Sequence, residues 1–165
     1  MYINVNSTVW CRKVFLIFAA IAYFLLLPIR LAASETLHKE SMLMARCEFV
    51  YAYTAQLMQL KNNIGAAQNI ARRSAFITTA NMMLNEEQGV IAGWKIERFN
   101  SVRAPLKQKL DSGEVKAINL ATECDKSAIP VANSVRLKGK KLWGKDFDEI
   151  HDAMTTKFKQ SIGLN

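Results

Sequence analysis

Leu43, Cys47, Val50, Thr54, Leu57 and Met58 stand three and four residues apart. An α-helix gathers that spacing onto one face, whereas a strand would divide it between two. The pattern predicts a helix from about Thr36 to Lys61 with Cys47 on its inner side. Asn62, Asn63 and Gly65 interrupt it, and the period returns in a second helix from about Ile64 to Leu84, carried by Ala67, Ile70, Ile77, Ala80 and Leu84. Two helices joined so closely form a hairpin. The chain has three prolines, Pro28, Pro105 and Pro130, and is rich in Ala, Leu, Met, Lys, Gln and Glu after its first segment. Such a composition favours helix throughout.

Asn85, with Gln88 three residues on, offers an N-cap for a third helix. Ile91, Trp94, Phe99, Val102, Leu106 and Leu110 continue it until Asp111, Ser112 and Gly113, and Pro105 is expected to kink or divide it near Arg103. A fourth helix, from about Glu114 to Ser127, sets Ala117, Ala121 and Cys124 on one face and stops before Pro130. Val131 to Lys138 reads as a short helix or as part of a loop. The last helix is the best marked. Asp146 and Glu149 form a capping box, Asp148 adds charge to the first turn, Lys157 and Lys159 stand near the end, and Gly163 terminates it. Phe147, Ile150, Met154, Phe158 and Ile162 make its apolar face. The fold class is therefore all-α: a single-domain bundle of four main helices plus a C-terminal helix.

What precedes the bundle determines its compartment. Val14 to Ile29 is a run of sixteen residues without charge, preceded by Arg12 and Lys13 and followed by Leu31, Ala32 and Ala33. A spanning helix wants about 20 apolar residues, so the shorter run reads as a signal peptide, residues 1–33, cut after Ala33. The alternative is an uncleaved anchor, with Arg30 snorkelling to the interface. Either way the charge bias holds the first residues inside and sends 34–165 across, which fits a periplasmic protein or an inner-membrane protein with its domain on the periplasmic side. The 132 residues from 34 to 165 suffice for one hydrophobic core.

An oxidising compartment changes the reading of the cysteines. Of the three, Cys11 belongs to the leading segment, which leaves Cys47 and Cys124 as the candidate disulfide, stapling the first helix to the fourth. Without Arg12, Lys13 and Arg30 the formal charge falls from +8 to +5, too mild for a dedicated nucleic-acid binder.

Groups able to do chemistry are scarce. His38 and His151 are the only histidines. Asp148, His151 and Asp152 could in principle meet a metal, but as a solvated first turn they answer the helix dipole instead, so no metal site is assigned. The methionines suggest a haem ligand, yet the C-x-x-C-H attachment spacing is absent. Met42, Met44, Met58, Met82, Met83 and Met154 read as core fillers, with one of Met82 and Met83 turned to a contact surface because both cannot face inward. No phosphate loop, nucleophile elbow or zinc motif occurs. We expect no enzyme activity, no catalytic residue and no cofactor.

One stretch stands apart. In "RLKGKKLWGK", Arg136, Lys138, Lys140, Lys141 and Lys145 surround Leu142 and Trp143 with no acid between them. A basic loop carrying an exposed indole suits anionic headgroups or an acidic protein. The competing reading folds Trp143 back as a plug of the core. Arg72 and Arg73 read as ordinary solvation of the second helix. The expectation is an exported binding or interaction protein, of the inhibitor or immunity kind, that meets a protein partner or an anionic envelope surface through Arg136–Lys145. The alternatives are a bundle that binds a small ligand, haem or lipid, and an anchored component of an envelope assembly.

Overall fold

The computed structural model describes residues 38–87 and 92–164, with side chains throughout except at 87 and 92–99. The apolar run at 14–29, the cleavage point at Ala33, and Ile91, Trp94 and Phe99 as core residues lie outside the described residues or side chains. Within them the fold is all-helical: α1 (38–60), α2 (Ile64–Glu87), α3 (Ala92–Asp111), α4 (Ala117–Leu137) and α5 (Phe147–Ser161). The one extended pairing among the described residues is an isolated bridge between Leu142 and Lys145.

Helix α1 is deeply enclosed. Its predicted stripe is buried at Cys47, Val50 and Thr54, but Ser41, Met44, Ala45, Phe49, Tyr51 and Ala55 are buried as well, so the helix is enclosed on nearly every side. Hairpin α1–α2 forms as the sequence suggests. Asn62 takes a left-handed conformation at φ 57°, its N–H and that of Asn63 donate back to the carbonyls of Gln59 and Met58, and the Asn63 side chain accepts from the Ala66 N–H at 3.2 Å. Small residues on α2, Ala67, Ala71, Ser74 and Ala75, are fully buried. They let the two backbones approach until Ser74 Oγ reaches the Glu48 carbonyl at 3.3 Å.

Helix α4 packs against α2 and is joined to α1 by the Cys47–Cys124 disulfide. It runs through Pro130 and does not stop before it, and it begins at Ala117 rather than Glu114. The reason is packing. Leu120, Ala121, Cys124, Ala128, Ala132 and Val135 continue one buried face past the proline, while Pro130 stands on the exposed side. The hydrogen bond it forgoes, to the Lys126 carbonyl, is lost where water is available. Pro105 likewise lies exposed within α3 and does not divide it.

Asn85 is no N-cap. Helix α2 continues to Glu87, and Asn85 is buried inside it at 4% exposure. Its Nδ2 donates to the Asn81 carbonyl and side chain, and its Oδ1 accepts from Ser41 Oγ at 3.1 Å. Met83 is buried and Met82 packs against the same cluster, so neither is the outward partner that their adjacency suggested.

Helix α5 carries the expected box: Asp146 Oδ1 accepts from the Glu149 N–H, and Glu149 Oε2 from the Asp146 N–H, both at 2.9 Å. Phe147 and Ile150 enter the main core beside Phe76. At the other end Ile162 and Leu164 close a second cluster with Ala55, Ala67 and Ala71.

Candidate functional site

The basic stretch is part helix and part turn. Arg136 and Leu137 are the last residues of α4 and Lys138 is its C-cap. Gly139, at φ 61°, turns the chain out of the helix. Leu142 and Lys145 then exchange two backbone hydrogen bonds, 2.9 and 3.1 Å. Trp143 and Gly144 form the two-residue connection, both left-handed at φ 55° and 76°, which is the conformation of a tight hairpin turn. Glycine adopts it without cost. A tryptophan does so against the clash of its Cβ with the following carbonyl, of order 1 kcal/mol.

Leu142 holds the turn in place. It is 4% exposed and belongs to the main core. With Met83 and Glu86 of α2 and with Lys140 and Lys141 it lines a hollow of about 140 Å³. Trp143 points the other way and is 71% exposed. It is therefore not a core plug; its neighbour fills that role. Leu137 is 85% exposed, a second large apolar side chain in water that the sequence reading did not single out.

The fold brings acids to a stretch that contains none. Arg136 Nη2 lies 2.9 Å from Asp148 Oδ2 on α5, so its guanidinium joins the two helices. Glu86 shares the hollow with Lys140 and Lys141. Lys138, Lys140, Lys141 and Lys145 are all exposed.

The other candidates separate. Asp148 is turned to Arg136. His151 Nε2 lies 3.3 Å from both the Arg72 carbonyl and Thr155 Oγ1, its ring edge-on to Phe76, and its Nδ1 is 3.8 Å from Asp152. Arg72, His151, Asp152, Thr155 and Thr156 line an open cleft of about 430 Å³ between α2 and α5. Arg73 does more than solvate its helix. It pairs with Asp125, whose other oxygen accepts from the Tyr51 hydroxyl at 2.7 Å. Loss of water around the phenol, together with that carboxylate, pushes the Tyr51 pKa up.

A polar seam between α1 and α2 escaped the sequence reading. Ser41 Oγ donates to Asn81 at 3.0 Å and to Asn85, and the Glu48 side chain bonds Thr78 and Asn81. Although Glu48 is partly exposed as a residue, its carboxyl group is enclosed. Loss of water raises its pKa to about 7, against the lowering effect of the two hydrogen bonds. Comparison with known protein families, characterised proteins and solved structures finds no match to this chain.

Proposed function

We propose that this chain is an exported protein of the periplasm whose helical domain binds a macromolecular partner through the turn between α4 and α5. The exposure of Trp143 carries the reading. A large indole held in water, in a backbone conformation that opposes its own side chain, has no role in the core to explain it. The four lysines at 138, 140, 141 and 145 ring it with positive charge, which speeds encounter with an acidic surface. Leu142 and the Arg136–Asp148 pair support the same reading, because they hold the turn on the bundle and leave its tip for contact. Export is supported by the order of charge, apolar run and small residues at 12–33 and by a cysteine pair suited to an oxidising compartment.

The experiment compares the full-length chain with its Trp143→Ala and Lys138→Glu/Lys140→Glu/Lys141→Glu variants in affinity capture from periplasm and envelope fractions. Binding that is lost in both variants, with melting temperatures unchanged, supports the turn as the contact surface. Capture indifferent to both variants removes it.

A further inference from the structure

We infer that the surface this turn meets is a bilayer bearing anionic headgroups, with Trp143 and Leu137 entering the interface and the lysines lying on the phosphates. The inference rests on the reading above and names its partner. Three observations favour lipid over an acidic protein. The first is the kind of cation. Carboxylates on proteins are best recognised by guanidinium, which grips them with two parallel bonds, and lysine is depleted in protein interfaces. Here the one arginine of the stretch pairs with Asp148, and every other cation of the stretch is a lysine, Lys141 and Lys145 among them exposed. As point charges on flexible stems they suit a diffuse field of phosphates.

The second is the apolar content. Leu137 and Trp143, 85% and 71% exposed, bracket Lys138, Lys140 and Lys141 within seven residues. An aliphatic and an indole side chain with flanking lysines is the composition of a membrane interface, where the indole lies at headgroup level. The third is shape. Trp143 sits at the tip of a two-residue turn, a protruding point rather than a socket for a partner's side chain, and a point can enter a fluid interface without a complementary pocket.

The test uses the full chain and vesicles of phosphatidylcholine with or without phosphatidylglycerol, their acyl chains brominated to quench indole fluorescence. Subtracting the Trp143→Phe signal from that of the unaltered chain isolates Trp143, and residues 1–33, common to all variants, cancel in the comparison. With phosphatidylglycerol present, the Trp143 emission should shift to shorter wavelength and be quenched, and with phosphatidylcholine alone it should stay that of an indole in water. Each lysine near an anionic surface is worth about fivefold in binding, so Lys141→Glu/Lys145→Glu should weaken this insertion by at least about 25-fold. Raising salt from 50 to 500 mM should return Trp143 of the unaltered chain to water, which tests the charge dependence without a variant.

Trp143 emission that stays water-like on phosphatidylglycerol vesicles at low salt overturns the inference. If capture from cell fractions still depends on Trp143 and the lysines, the turn binds an acidic protein and the broader reading stands. If capture is indifferent as well, both fall together.

Discussion

Leu142 and Trp143 are adjacent in the chain, yet Leu142 is 4% exposed and Trp143 71%. The bridge to Lys145 anchors Leu142 against the core, and the left-handed turn at Trp143 and Gly144 carries the next side chain away from it. Leu142→Ala should cost about 2 to 5 kcal/mol of stability, as for other buried leucines. Trp143→Ala should change it by no more than about 0.5 kcal/mol, and Trp143→Gly should raise it by up to about 1 kcal/mol by relieving the left-handed conformation. Urea unfolding of the three variants measures all of these. A large loss in Trp143→Ala would contradict the exposure of the indole.

Reducing the Cys47–Cys124 bridge releases a closed loop whose ends are 77 residues apart. The chain-entropy account puts that at about 4.5 kcal/mol. The melting temperature should fall by roughly 10 to 20 °C, by the usual scaling of about 2 to 4 °C per kcal/mol for a chain of this size, when calorimetry is repeated in reductant. Thiol titration of the native protein should find neither Cys47 nor Cys124 reactive.

Glu48 makes stability depend on pH. Its carboxyl titrates near 7 when folded and near 4.5 when unfolded. Between those values the folded state binds the extra proton, so stability falls as pH rises through this window and levels off above about 7. The full effect is on the order of 3 kcal/mol. Glu48→Gln keeps a polar partner for Thr78 and Asn81 without the charge. It should flatten that slope and be the more stable protein at pH 8, which thermal melts from pH 4 to 8 would check.

Asp125 accepts from Tyr51 of α1 and pairs with Arg73 of α2, tying both to α4. Asp125→Ala should cost about 1 to 3 kcal/mol, mainly by leaving the enclosed phenol without a partner, and Tyr51→Phe about 1 kcal/mol. In a double-mutant cycle Tyr51→Phe should cost little once Asp125 is gone. Strict additivity of the two changes would deny the coupling.

The sequence by itself determined what depends on near neighbours. The helical period of α1 and α2, the Asn62–Asn63 turn, the Asp146–Glu149 box and the Gly163 stop are local, because spacing along the chain sets which groups can meet within one or two helical turns. The Cys47–Cys124 pairing was legible for a different reason: the leading segment claims Cys11, and two inward cysteines remain. Tertiary structure decided the rest. Whether Pro130 ends α4 depended on the buried face that continues to Val135, and whether Asn85 caps a helix or is buried in one depended on Ser41, 44 residues away. The basic stretch was visible as charge. That Leu142 rather than Trp143 is the plug, that Arg136 is held by Asp148, and that Leu137 stands in water were set by what packs opposite each position. Charge and helical period are properties of the chain, whereas burial is a property of the pair of surfaces that meet.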